Sequence, residues 1–279
     1  MRRRLRLVAG VVEALGKALA DFFLPERCVV CGGVLSQRER YLCCRCEADM
    51  PLTHYWLREH QPMAERYNAR IQEHATAYED FGCAAALFFY REQAGYKGIP
   101  QALKYEGIRA LGRYFGLWLG RELARSPLFA DVDLVVPVPL HPLRRFRRGY
   151  NQATVLAKAI VEAYVAVQPA ASLPFAGSLT PDPQSAVPPH YDGGLVLRMR
   201  ATKTQTQLSG EEKAKNVAGA FQVNPRALAR LPFQPRHILI VDDVFTSGAT
   251  MAAVHNAIRA VFPPEIRISV ATLAFVPGD

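Results

Sequence analysis

Ile238-Leu239-Ile240-Val241-Asp242-Asp243-Val244-Phe245-Thr246-Ser247-Gly248-Ala249-Thr250 is the stretch on which the fold turns. A buried apolar strand over 237–241 runs into two adjacent acids, then a turn of small hydroxylated residues, then a helical pattern over 248–261. In a parallel sheet the carboxyl ends of the strands form the ligand-binding edge, so the acids emerge at the expected mouth. The turn at Thr246, Ser247, Gly248, Ala249 and Thr250 offers backbone N–H groups, hydroxyls and a helix N-terminus, a combination suited to phosphate. Asp242 and Asp243 beside such a cradle suit the hydroxyls of a ribose, or a hydrated Mg²⁺, next to its 5′-phosphate. No GxxxxGK followed by Ser or Thr occurs, and no GxGxxG follows a strand, which excludes a Walker loop and a dinucleotide fingerprint.

Outward from this stretch the pattern repeats. Segments 82–90, 132–138 and 266–275 read as further strands, and 93–104, 109–125 and 151–166 as helices. Strands separated by helices predict an α/β fold with a doubly wound parallel sheet over 82–279. A stretch at about 168–194 interrupts it, with Pro169, Pro174, Pro181, Pro183, Pro188, Pro189 and then Gly193-Gly194. Such composition reads as a long surface loop.

A chain of 279 residues, 50% hydrophobic and 21% charged, has globular composition and suits one large domain plus a small module. The net charge of +9 is concentrated in Arg2, Arg3, Arg4 and Arg6 and in Arg144, Arg145, Arg147 and Arg148. This pattern argues for one or two local anion sites and not for a surface that grips nucleic acid throughout. No apolar run reaches the roughly 18 residues of a membrane span. Residues 1–24 read as an amphipathic helix striped by Val8, Val11, Val12, Leu15, Leu19, Phe22 and Phe23. Glu13 and Lys17 interrupt the apolar core that a secretory signal would need, which favours a cytoplasmic location; contact with a membrane surface stays open.

Five of the six cysteines fall between positions 28 and 46, as Cys28-Val-Val-Cys31 and Cys43-Cys44-Arg45-Cys46. Each CxxC can supply two corners of a tetrahedron around zinc, which predicts a zinc-binding module over 25–55. Cys28, Cys31, Cys43 and Cys46 keep the paired spacing, with Cys44 as the alternative to Cys43. Four protein ligands close the site, so its expected role is structural. Cys83, in the apolar run 82–90, reads as a small buried hydrophobe.

VDDVFTSGAT resembles the phosphoribosyl-diphosphate (PRPP) binding motif of type I phosphoribosyltransferases. The wider chain resembles the ComF/GntX family of competence-related phosphoribosyltransferase-like proteins, through FLPERCVVCGG, LCCRC, ALKYEG, VVPVPLHPLRRFRRGYNQATVLA, RATKTQTQLSGEEKAKNVAGAF and ILIVDDVFTSGATM. The resemblance implies that Asp242 and Asp243 hold ribose hydroxyls, that Thr246–Thr250 bind the 5′-phosphate, and that PRPP arrives with Mg²⁺. It also places the turn after Val136-Pro137-Val138 near pyrophosphate, with the run Arg144–Arg148, Arg147 and Arg148 among it, near the same edge, while Lys104 matches a further family position as a ligand-binding or a purely structural residue. Arg200, Thr202, Gln205, Lys213 and Asn216 match further family positions, and Gln205 would belong to a cover over the substrate. Thr246 stands where some purine-salvage members carry an acid, which argues against a purine acceptor that relies on a loop carboxylate. Two functions follow, a PRPP-dependent phosphoribosyl transfer linked to DNA uptake or use, and a noncatalytic DNA-processing adaptor on the same fold. The partners implied are PRPP, single-stranded DNA or the DNA-uptake machinery, and a second copy of the chain. Tyr150, beside the arginine run, offers a ring on which a base could stack.

Overall fold

Nine consecutive residues, His237–Phe245, form strand β6 at the centre of a five-stranded, wholly parallel sheet. In this computed structural model, which describes residues 26–73, 81–90, 95–167, 188–199 and 219–278, the strand order is β1-β7-β6-β2-β3. These neighbours are β1 (Ala84–Phe89), β2 (Leu134–Pro137), β3 (His190–Tyr191) and β7 (Arg267–Phe275). The α/β architecture expected from the sequence is therefore present. β6 is longer than expected, because Asp242 still pairs with Thr272 and Val244 with Ala274 of β7. Successive strand residues face opposite sides, so the two acids serve opposite faces of the sheet.

Helices α3 (Arg109–Ala124) and α5 (Gln152–Val167) pack together over one face. The other face is covered by α2 (Pro62–Gln72), α7 (Ala249–Arg259) and an antiparallel hairpin of β4 (Val196–Arg198) and β5 (Phe221–Val223), followed by the short α6 (Pro225–Leu228). Its core joins Met63, Tyr67 and Ile71 to Ile238, Ile240, Val254 and Ile258. Gly112, Gly116 and Gly120 recur every four residues along α3 where it meets α5. A Cβ on Gly116 would stand 2.7 Å from that of Ala159, so the row permits an approach that larger residues would block.

Several elements differ from the sequence expectation. The stretch 93–104 is no single helix: among the described residues, a tight turn at Gly95–Lys97 and a helical turn at Gly98–Gln101 lead into a π-type turn at Ala102–Glu106. Pro100 lacks the N–H that a continuous helix would use. The arginine run is helical, as α4 (Pro142–Arg148). The expected loop at 168–194 ends earlier, since His190 and Tyr191 pair with Leu134 and Val135 as the edge strand; residues 168–187 lie outside the described ones, as does the expected helix at 1–24. None of the described helices is long and apolar enough to cross a membrane.

The described residues divide into two units, 26–50 with 95–99, and the remainder. The expected cysteine module at 25–55 thus stops at Met50 and draws in a distant segment. Beyond it Pro51–Thr53 run beside β1, where the Phe89 N–H donates to the Pro51 carbonyl at 2.9 Å and the Thr53 N–H to that of Leu87 at 3.1 Å.

Candidate functional site

From β2 the chain continues through α5 toward β3, and from β6 it continues through α7, on the opposite face, to β7. Neighbouring strands whose connections leave to opposite sides open a crevice at their carboxyl ends, where such sheets take ligands. Val138, just beyond β2, donates its N–H to the Val241 carbonyl at 2.8 Å, which holds the two strand ends together. Asn151 Nδ2 donates to the Val138 carbonyl at 3.0 Å, and its Oδ1 accepts from the Ala153 N–H at the start of α5. His141 is the N-cap of α4, its Nδ1 accepting the Leu143 N–H at 3.3 Å, so its role in the fold is local.

The paired acids occupy the last part of β6. Asp242 Oδ1 accepts the Asp243 N–H at 2.8 Å. Burial, and next the adjacent Asp243 charge, push the Asp242 carboxyl well above the usual range. Asp243 forms an ion pair with Lys104, Nζ to Oδ2 3.0 Å, on the sheet face opposite to Asp242. Lys104 sits on the π-type turn, whose Leu103 carbonyl accepts the Tyr150 hydroxyl and, at 3.2 Å, Gln152 Nε2. Irregular helical turns of this kind often carry functional side chains.

After Phe245 the chain turns at Thr246 and Ser247 into Gly248, whose φ of +79° is the left-handed conformation that favours glycine. A Cβ there would lie 2.8 Å from the Phe245 ring. Gly248 caps α7 without any side-chain hydrogen bond. Glycine leaves the first N–H groups of the helix without a side-chain cap from the N-cap position, and the helix dipole favours an anion at that point.

The basic residues divide by position. On α4, Arg144 and Arg148 are half-buried, whereas Arg145 and Arg147 are exposed. Arg148 Nη1 donates to Gln152 Oε1 at 3.1 Å, and its guanidinium lies 5.9 Å from the Tyr105 ring centroid. Burial, then the Arg148 charge, lowers the pKa of Arg144. Burial, then the Arg144 charge, likewise lowers that of Arg198 on β4, against an opposing effect of Asp242. Arg144 thus lies within electrostatic reach of both Arg148 and Arg198, and Arg198 within that of Asp242. The sequence reading selected Arg147 and Arg148. Arg144 was available from its spacing of four to Arg148, but only the helix shows that this pair shares a face. Arg198 had no sequence signal. Tyr150 is only 7% exposed and engaged with Leu103, so it offers no free ring for a base. Phe146 at 89% and Tyr105 at 77% exposure are the open rings instead. Arg200, Thr202, Gln205, Lys213 and Asn216 lie outside the described residues.

In the first unit the Sγ atoms of Cys28, Cys31, Cys43 and Cys46 all lie within 4.8 Å of one another. Those of Cys31 and Cys43 are 3.8 Å apart, which matches the edge of a tetrahedron with metal–sulfur bonds of about 2.3 Å and is well beyond a disulfide bond of about 2.0 Å. Cys43 is thus the member of the set, and Cys44 is exposed outside it. The donor set is compatible with a structural zinc. Burial opposes ionisation of Cys28, but N–H groups of Cys31, Cys43 and Val30 directed at its sulfur hold its pKa below the ordinary thiol range. Cys46 enters from the first turn of α1 (Cys44–Ala48). Two supports escaped the sequence reading. Glu39 accepts the N–H groups of Ser36 and Cys44, each at 2.7 Å, and Tyr96 donates its hydroxyl to the Cys46 carbonyl at 3.0 Å.

At the amino ends of the strands, Ser269, His237 and Asp131 imitate a nucleophilic triad, with His237 Nε2 2.8 Å from Ser269 Oγ and Nδ1 2.9 Å from Asp131 Oδ1. Arg267 Nη2 lies 2.8 Å from the same Nδ1 and 2.6 Å from the same carboxylate oxygen. Nδ1 can serve only one of these partners as a hydrogen bond, donating to Asp131 or accepting from Arg267, so the contacts do not single out a base for Ser269. Ser269 is also fully buried. The cluster fastens the strand ends.

No family model matches the chain. It is 24% identical over 211 residues to Competence protein F of Haemophilus influenzae, covering 67% of this chain and 80% of that protein. It is 33% identical over 122 residues to DNA utilization protein YhgH of Escherichia coli, and 34% over the same length to the protein of that name from Salmonella typhi. These matches cover 44% of this chain and 41% of either protein. An α/β sheet with an acid-paired strand end and a four-cysteine unit define the class, and the chain is similar to Competence protein F and to the DNA utilization proteins YhgH.

Proposed function

We propose that the crevice between β2 and β6 binds PRPP with Mg²⁺ and that the protein transfers or acts on a phosphoribosyl group in the uptake or use of DNA. The observation that carries this reading is the end of β6, where Asp242 and Asp243 precede a helix N-terminus opened by Gly248 and lacking a side-chain cap. The DNA link draws on the names of the relatives, Competence protein F and DNA utilization protein. In the proposed complex the Ser247–Thr250 amides and hydroxyls take the 5′-phosphate, and the acids take the ribose hydroxyls. Lys104, Arg144, Arg148 and Arg198 face the pyrophosphate. Carboxylate oxygens fit a hard divalent cation, and Asp242 and Asp243 are the carboxylates that would hold it. Mg²⁺, when bound, would neutralise pyrophosphate oxygens. Transfer breaks the bond from ribose C1 to pyrophosphate, with the electron pair leaving on the pyrophosphate oxygen, and an acceptor forms the new bond at C1. The chain's own contribution is to position the sugar and to stabilise the leaving charge with its basic residues.

Calorimetry with PRPP and Mg²⁺ on wild type and on Asp242→Asn with Asp243→Asn tests this, and equal affinity in both removes the assignment. A second reading, the noncatalytic DNA adaptor, is favoured by the open Phe146 and Tyr105 rings beside four arginines. Exposed rings interleaved with cations suit a single strand. PRPP turnover to pyrophosphate would decide for the enzyme. Loss of single-strand affinity in Arg145→Ala, Phe146→Ala, Arg147→Ala, with the slope of log K against log salt smaller by about 0.7 per lost phosphate contact, would decide for the adaptor.

A further inference from the structure

We infer that Arg66 and Arg70 of α2 are positioning residues for the Thr246–Gly248 turn, holding its amides toward the bound anion; the inference rests on the phosphoribosyl reading of that turn. The two arginines are four residues apart on one helix, so their side chains share a face. Arg66 Nη1 donates to the Thr246 carbonyl at 2.8 Å and to the Val276 carbonyl at 2.9 Å, and its guanidinium lies 5.0 Å from the Phe275 ring centroid. Arg70 Nε donates to the Ser247 carbonyl at 3.3 Å, while its Nη1 is held by both carboxylate oxygens of Glu73 at 3.0 and 2.9 Å. Two long side chains half-buried on two consecutive carbonyls of one turn are more than packing requires. The apolar residues of α2, Met63, Ala64, Tyr67 and Ile71, already anchor the helix in the core.

The consequence follows from the peptide unit. Its C=O and N–H point in opposite directions across a trans bond. A carbonyl of Thr246 fixed toward α2 therefore turns the Ser247 N–H away from α2, and a fixed carbonyl of Ser247 does the same for the Gly248 N–H. The left-handed Gly248 then brings these amides into sequence with the N–H groups that open α7, a concavity of the kind that binds anions. A guanidinium on a carbonyl also polarises that peptide, which makes its N–H a stronger donor. Glu73 neutralises Arg70, whereas Arg66 is bound only to carbonyls and a ring among its described contacts, so positive potential remains behind the turn. The sequence offered no hint of this, because the arginines lie about 180 residues before the turn they hold.

The probe is ribose 5-phosphate, titrated calorimetrically into the full chain as wild type, Arg66→Gln with Arg70→Gln, Arg70→Gln alone and Arg66→Lys. The double variant should bind roughly tenfold more weakly, and Arg66→Lys, which keeps a cationic donor, should recover part of the loss. Ile71→Val, which loosens α2 in the core without touching the turn, should keep wild-type affinity. The amide NMR resonances of Ser247 and Gly248 should shift in the double variant and stay unchanged in Ile71→Val. Wild type that fails to bind ribose 5-phosphate overturns the phosphoribosyl reading, and the Ser247 and Gly248 resonances then still decide the positioning role. Undiminished affinity together with unshifted Ser247 and Gly248 resonances in a folded double variant overturns the positioning role. If the double variant does not fold, Arg70→Gln alone decides by the same two measurements.

Discussion

Lowering the pH from 7 to 5 should cost this protein about 2 kcal/mol at one residue, His255. His255 lies on α7, 2% exposed, with Nδ1 2.6 Å from the Tyr67 hydroxyl of α2. Burial, and next the Arg259 charge, lower its pKa from 6.5 to about 3. A histidine held neutral contributes stability that is complete above the unfolded value and is lost as pH falls toward the folded one. At pH 5 the unfolded chain has taken up the proton and the folded chain has not, a gap of about 1.5 pH units at about 1.4 kcal/mol each; the part already lost at pH 7 is small. The same contact joins α2, which carries the arginines that hold the turn, to α7, which begins at that turn. Urea unfolding at pH 7 and pH 5 on wild type and His255→Gln measures the effect. His237, also held neutral mainly by burial, contributes a loss of the same sign in both proteins, so the difference between them isolates His255. An equal fall in stability for wild type and variant would refute the reasoning.

Three further outcomes are expected. Protein purified without added metal should carry about one zinc per chain by elemental analysis, and Cys28→Ser or Cys46→Ser should release it while Cys83→Ser retains it; fully folded, zinc-free wild type would contradict this. Gly116→Val should destabilise by about 1–3 kcal/mol in thermal or urea unfolding, because α3 must move off Ala159 and Leu156 to admit the side chain. Arg144→Ala with Arg148→Ala should weaken PRPP binding more than Arg145→Ala with Arg147→Ala in calorimetric titration, since the first pair is half-buried beside the crevice and the second exposed; the reverse order would displace the pyrophosphate from this face.

The sequence by itself determined what depends on near neighbours in the chain. Alternation of apolar strands and helices specified a parallel sheet, since buried strands joined by crossover helices have few other solutions. The spacing of Cys28, Cys31, Cys43 and Cys46 specified their convergence, and Asp242 through Thr250 specified the strand end with its acids and the turn into α7. What it missed depends on side chains meeting across long separations. Only the tertiary structure brings Lys104 to Asp243, sets Arg144 within electrostatic reach of both Arg148 and Arg198, and buries Tyr150 against Leu103 while leaving Phe146 open. Only it carries the segment 95–99 into the cysteine unit and sets Arg66 and Arg70 behind the turn that they hold. The physical reason is common to these cases: a pattern of period two or 3.6 reports which face of an element is apolar, whereas the partner of a polar side chain is chosen by packing of elements far apart in the chain.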